Sequence, residues 1–136
     1  MESRSRDLVI ARLLTLLEGD WGPACALASF VYHSGVTSPP ENRDVCLSLV
    51  REALVNGWIR VGELKPGFEA WDVPVSTVMG KLAGDWPRDT VPGLDGPSWF
   101  DVTSTGRARG AELSRTFGAE LNHRAGSYVR VAVEKP

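Results

Sequence analysis

Two histidines, two cysteines and scattered carboxylates are the side chains with which this 136-residue chain could do chemistry. His33 and His123 stand alone, without the His-x-x-x-His or Cys-x-x-Cys spacing that holds a metal ion. His33 falls at the end of a predicted helix, where a cationic ring stabilises the last carbonyls. The chain has no nucleophile elbow, phosphate-binding loop or dinucleotide fingerprint. We therefore predict no catalytic residue, no metal site and no cofactor, and an enzyme is the least favoured class.

The cysteines and the loop carboxylates also give no indication of a disulfide or a metal site. Cys25 and Cys46 lack the number and spacing of a disulfide framework or a zinc site. Each lies among apolar neighbours on a predicted helix, which favours a small buried thiol. Four aspartates with irregular spacing could contact a divalent cation, but loop carboxylates of this kind are usually solvated: Asp85, Asp89, Asp95 and Asp101.

Composition bounds the class of protein. The chain has 15 basic and 17 acidic side chains, a net charge of −2, and 43% hydrophobic residues. These values exclude a disordered tail, a fibrous repeat and a strongly cationic nucleic-acid coat protein. Arg12 and Glu18 interrupt the first apolar run, so neither a secretory signal nor a membrane span is predicted. We expect a single domain over residues 1–136, in the cytoplasm and without a membrane partner.

Three helices are predicted in the first part of the chain. The first spans Arg6 to Glu18, with Ser5 as its N-cap and Gly19 as its C′ residue. The second starts at Pro23 and ends before Gly35. The third opens with a capping box at Ser38-Pro39-Pro40-Glu41 and stops at Asn56-Gly57. Its inward residues are predicted to be Cys46, Leu49, Val50, Ala53 and Leu54.

Strands dominate after Gly57. Trp58 to Leu64 alternates as a strand, and Lys65-Pro66-Gly67 is a turn after which Phe68 to Trp71 pairs back. The remaining elements, in order, are a short helix over Pro74 to Ala83 closed by Gly84, an irregular loop from Asp85 to Ser98, a strand over Trp99 to Val102, a long helix capped by Thr103 or Ser104, and an edge strand over Tyr128 to Val133.

Two stretches carry a family resemblance. Residues 52–62 read as a third helix that runs through a glycine into a strand, and residues 99–107 contain a strand followed by Thr103-Ser104-Thr105-Gly106. Both resemble the winged helix-turn-helix superfamily, and the layout resembles small uncharacterised bacterial proteins with an expanded wing. The resemblance implies an α+β fold in three parts. Residues 3–64 form a helical core and first wing strand, 65–98 an acidic insertion with a short helix, and 99–136 the second wing strand, a helix and a strand.

Such a fold suggests DNA binding, which the charges disfavour. Residues 1–64 carry a net charge of −2, the inserted wing and its closing strand, 65–103, carry −3, and residues 104–136 carry +3. Phosphate neutralisation dominates DNA affinity, and here acids on the third helix oppose its bases. The alternative function is nevertheless a regulator that binds DNA as a dimer. The predicted strand over Tyr128 to Val133 could form this dimer by pairing with the same strand of a second copy. Its contacts would be Asn42, Arg43, Arg51, Arg107 and Arg109.

Binding to another protein is the preferred function. The insertion gathers tryptophans among acids, and tryptophan dominates interaction hot spots, while an acidic rim suits a basic partner. We expect Trp86 to be partly exposed. A non-enzymatic immunity-like, antitoxin-like or accessory factor fits the size and acidity. The predicted partner contacts are Trp71, Trp86, Asp85, Arg88 and Asp89. Convergence of the arginines would favour the regulator, and screening of the third helix by the insertion would favour the protein-binding module.

Overall fold

Helices and short antiparallel strands alternate along the chain, which makes an α+β fold. The computed structural model describes the backbone of residues 1–94, 96 and 98–133, and the side chains of the same residues up to Leu121. The helices within these residues are α1 (Ser3–Gly19), α2 (Ala24–His33), α3 (Pro39–Val55), α4 (Val75–Asp85) and α5 (Ser104–Val133). The strands are β1 (Gly22–Pro23), β2 (Ile59–Leu64), β3 (Phe68–Ala70) and β4 (Trp99–Val102).

The ends of α1 and α2 differ in part from the predicted ones. Helix α1 begins at Ser3 because the N–H of Arg6 already bonds to the carbonyl of Glu2, so Glu2 and not Ser5 is the N-cap. Pro23 is the N-cap of α2 rather than its first residue, since it pairs with β4. The predicted end of α2 before Gly35 is confirmed, and Gly35 has the positive φ of 110° that suits glycine.

Helix α3 begins as predicted after Ser38, with prolines in its first turn. The capping box is not formed, because the Ser38 side chain makes no capping hydrogen bond. The helix ends at Val55, and Gly57 has a φ of 72°. Leu54 is half-buried at the edge of the core, whereas the other four predicted inward residues are fully buried. Helix α4 runs through Gly84 to Asp85, two residues beyond its predicted end.

The sheet has the strand order β1-β4-β2-β3. Strands β2 and β4 are antiparallel neighbours, from Ile59 opposite Val102 to Gly62 opposite Trp99. The predicted turn at 65–67 is confirmed, and β3 pairs back on β2. Strand β1 was not predicted from the sequence, because two residues are too few to show alternation. Residues 71–98 therefore leave the sheet after β3, and the chain returns to it at β4.

The hydrophobic core lies between the helices and one face of this sheet. Strand alternation buries Val61 and Phe100 on the helix side and leaves Arg60 and Asp101 on the other side. Helix α1 packs along α5 and also contacts α2, α3 and the strands β1 and β4. Its buried apolar stripe is Val9, Ile10, Leu13, Leu14, Leu16 and Leu17.

The predicted strand over Tyr128 to Val133 is wrong, because these residues continue α5. Three alternating valines do not by themselves distinguish a strand from a helix. A helix that has already started extends at little cost, since each added residue brings one hydrogen bond. No proline separates these valines from the preceding helical sequence, and Gly126-Ser127, which stands directly before them, does not end the helix.

A tight joint connects β2, β4 and the start of α5. The Thr103 hydroxyl accepts the N–H of Gly106 at 2.9 Å and lies 2.6 Å from the carbonyl of Gly57, to which it donates. Thr103 is thus the N-cap of α5, which confirms one of the two predicted caps. Gly106 is required for a separate reason: a β-carbon there would collide with the carbonyl oxygen of Trp58. The Thr-x-x-Gly motif therefore closes the joint between the sheet and the last helix.

We predict that Gly106→Ala lowers the free energy of unfolding by about 1–3 kcal/mol, because the Trp58 backbone must move. Gly118→Ala, on the same helix and with open space around it, is the control. It is expected to leave stability unchanged or raise it by about 0.5–1 kcal/mol, since alanine favours the helix. Urea unfolding of the two variants checks this, and equal stabilities would contradict it.

Candidate functional site

Trp86 lies inside the protein, which contradicts the predicted exposure. Its side chain is 2% exposed and belongs to the core together with Val78 and Leu82 of α4. The Trp86 N–H donates to the carbonyl of Leu82 at 2.8 Å, so the last turn of α4 reaches Trp86, which is its C-cap. The tryptophan is therefore an anchor that fixes the insertion to the core, and it is not an exposed contact for a partner.

Arg43, on α3, contacts the same end of α4. Its guanidinium donates to the carbonyl of Ala83 at 2.6 Å and to the carbonyl of Trp86 at 3.3 Å. A cation at the C-terminal carbonyls of a helix is favourable, so Arg43 fixes the end of α4 against α3. Its side chain is 13% exposed. The predicted role of Arg43 in contacting DNA therefore conflicts with its use inside the fold.

Asn42 is also used inside the protein. It is 1% exposed, and its amide nitrogen donates to the carbonyls of Ala28 and Val36 at 3.1 Å each. The Cys46 thiol lies 3.4 Å from the amide oxygen of Asn42 and donates to it. Asn42 thus ties α2 and the following turn to α3 and cannot reach a base edge. Burial raises the pKa of the Cys46 thiol, which keeps it protonated and unreactive.

The remaining predicted DNA contacts lie on two different helices. Arg51 and Arg107 are exposed, on α3 and α5. Arg109 is half-buried, with its guanidinium 5.4 Å above the Trp58 ring and paired with Glu112. The exposed stripe of α3 is Glu41, Asp44, Ser48, Arg51 and Val55, which carries more acid than base. Helix α4 of the insertion packs against α3 as well.

The other predicted partner contacts divide into packed and exposed residues. Trp71 packs against the core, and the Lys81 ammonium lies 4.9 Å above its ring. Asp85 is exposed at the end of α4, 3.8 Å from the same ammonium. Arg88 and Asp89 are exposed in the loop that follows. The predicted loop aspartate Asp95 lies outside the described residues.

A groove between α2 and this loop is the first of two candidate surfaces. We call it the α2 groove, and its volume is about 310 Å³. It is lined by Cys25, Ala28, Ser29, Tyr32, Val91 and Pro92. Tyr32 is 46% exposed and Val91 is 52% exposed. Residues 24–32 contain no acidic or basic side chain, although Tyr32 is exposed, and this absence of charge is the sequence signal for an apolar surface on α2.

The second candidate surface is the side of the sheet that faces away from the core. Trp21, which is 38% exposed, stacks on Phe68 with ring centroids 6.3 Å apart. The Arg60 guanidinium lies 5.3 Å above the Phe68 ring and bonds to the Asp101 carboxylate at 2.6 Å. We call these four residues the outer sheet face. Alternation in β2 and β4 indicates the outward position of the charged pair, but nothing in the sequence indicates that Trp21 joins it.

The described residues contain no group of three histidine, cysteine or carboxylate side chains arranged to hold a metal ion. No described helix has the length and apolar character that crossing a membrane requires. Comparisons with protein-family models, with curated proteins and with solved structures find no match to this chain. The functional argument therefore depends on the two surfaces and their chemistry.

We predict that Trp86→Ala lowers the free energy of unfolding by about 3–5 kcal/mol, because it opens a cavity beside Leu82. Tyr32→Ala removes an exposed aromatic ring and should cost less than about 1 kcal/mol. Thermal and urea unfolding of both variants measure the difference. A Trp86→Ala variant as stable as Tyr32→Ala would show that the indole does not anchor the insertion.

Proposed function

We propose that this protein is a non-enzymatic protein-binding module that receives a partner in the α2 groove. The observation that carries the proposal is an apolar groove formed jointly by a charge-free helix and by the insertion. Interface centres are depleted in charged residues and enriched in aromatic and apolar ones, as this groove is. An immunity-like, antitoxin-like or accessory role in the cytoplasm is the setting we infer.

We infer a winged-helix-like arrangement, which is consistent with this proposal at the level of the fold. Three helices precede a strand pair, β2 and β4, whose connection is expanded by residues 65–98. We infer that the expanded connection is the feature that adapts the fold to a protein partner. It places Val91 and Pro92 beside α2, where they complete one wall of the groove.

The groove indicates what the partner brings. Its volume admits one or two bulky apolar side chains, and Tyr32 and Val91 offer the exposed contact area. Asp89 stands two residues before Val91, and the exposed acids Asp85 and Asp44 lie near the end of α4. Arg88 is the basic side chain in this loop. We therefore infer a partner segment with an apolar anchor and flanking lysine or arginine side chains, which the acids would steer.

We predict that Val91→Glu abolishes partner binding without unfolding the protein, because it places a charge in the apolar groove. Val55→Glu is the control, since Val55 is also an exposed valine, 65% against 52% for Val91, and lies on α3 outside the groove. Proteins captured from a cell extract by the native chain are compared with those captured by each variant, and the partner is then bound as a purified protein. A partner retained by Val91→Glu, or lost equally from both variants, would contradict the proposed site.

DNA binding is the alternative and has less support, since Asn42 and Arg43 are committed inside the fold and α4 packs on α3. We predict weak binding to duplex DNA that disappears at physiological salt, because few phosphates can be neutralised. Titration of the protein into labelled DNA from its own upstream region, at low and physiological salt, measures this. Tight binding that survives physiological salt and depends on Arg51 and Arg107 would establish the regulator instead.

A further inference from the structure

The outer sheet face has the composition of an interface centre. Trp21 and Phe68 form a stacked pair that is partly open to water, and Arg60 lies over it. Trp99 also points to this side, because its alternate neighbours Phe100 and Val102 face the core. Tryptophan and arginine are the residues that most often carry binding energy at protein interfaces. This face lies on the side of the sheet opposite the core and is therefore distinct from the α2 groove.

The charges on this face are balanced. The outward positions of β2, β3 and β4 carry one base and one acid, and the other outward residues are uncharged: Gly62, Leu64, Phe68, Ala70 and Trp99. The Arg60 side chain is 54% exposed, so its guanidinium has free donors besides those directed at Asp101. A strongly basic or a strongly acidic partner would find no opposite excess charge here.

We propose that the outer sheet face binds a second copy of this chain in a two-fold symmetric dimer. In such a dimer both protomers use the same surface. If one residue contacts a second residue of the partner subunit, the second residue also contacts the first residue of the partner subunit. Arg60 of one protomer then faces Asp101 of the partner subunit, and its Asp101 faces Arg60 of the partner subunit. One base and one acid on the same apolar face are therefore complementary to their own copy. Because Arg60 and Asp101 of one chain are themselves 2.6 Å apart, the two intermolecular pairs lie together at the two-fold axis, and the aromatic pair supplies apolar area beside them.

This dimer is independent of the α2 groove and of whatever binds there. Sedimentation velocity of the full chain over a range of concentrations tests it directly, and a concentration-dependent monomer–dimer equilibrium is expected. Trp21→Ala should weaken the dimer by about 30-fold or more, which is the effect expected for a hot-spot tryptophan. Tyr32→Ala, in the groove, should leave the dimer constant unchanged.

A charge exchange between two variants gives the sharper test. Arg60→Asp and Asp101→Arg should each dimerise poorly alone, because four like charges then meet at the two-fold axis. Mixed together they should form a heterodimer, since both intermolecular pairs are then of opposite sign. A mixture of Lys81→Asp and Asp85→Lys, a comparable exposed pair on α4, should show no preference for the heterodimer. Thermal unfolding of each variant verifies that it is folded.

Repulsion within one chain cannot explain preferential formation of the heterodimer. Each variant carries two like charges at positions 60 and 101 of its own chain, and this repulsion is the same before and after mixing. A native chain that stays monomeric at every concentration would overturn the proposal. So would a dimer that Trp21→Ala leaves intact, or charge variants that fail to associate when mixed although both are folded. Preferential formation of the mixed dimer supports the outer sheet face as the interface.

Discussion

Pairing of β2 with β4 is the constraint on which the rest of the structure depends. It brings residues 59–62 against residues 99–102, although the whole insertion separates them in the chain. Closing so long a connection costs conformational entropy, which contacts elsewhere must offset. The inward side chains of the two strands pack under the helices, and Trp86 enters the same core from the insertion. The insertion is thus held at its two ends by the sheet and in its middle by an indole.

The Arg43 contact follows from this arrangement. A helix that ends inside the fold presents carbonyl groups without partners, and these must be satisfied. The guanidinium of Arg43 donates to two of these carbonyls, which fixes α4 against α3. Arg43 is therefore no longer a free charged side chain on the surface of α3. The loop after Trp86 is then directed across α2, where Val91 and Pro92 meet Tyr32. The groove is therefore a consequence of how the insertion is anchored.

The sequence predicted the framework well at the starts of α3 and α5 and in strand β2. The prolines after Ser38, the alternation around Arg60 and the threonine cap of α5 all correspond to elements of the structure. It failed where one residue type suits two environments. An asparagine amide pairs as readily with two carbonyls as with a base, and an arginine caps a helix as readily as it binds phosphate. The four-residue spacing of Val78, Leu82 and Trp86 indicates one buried stripe, but ending the predicted helix before Gly84 assigned Trp86 to the loop.

The two surfaces lie on opposite sides of the sheet, and this separation has a functional consequence. The α2 groove is built on a helix that packs on the core side, whereas the outer sheet face is directed away from the core. A dimer formed through the sheet would therefore leave both grooves open to partners. Two grooves held in one rigid dimer bind a divalent or oligomeric partner more tightly than either groove alone, because the second contact becomes intramolecular. Self-association would in this way strengthen partner binding without any change in the groove.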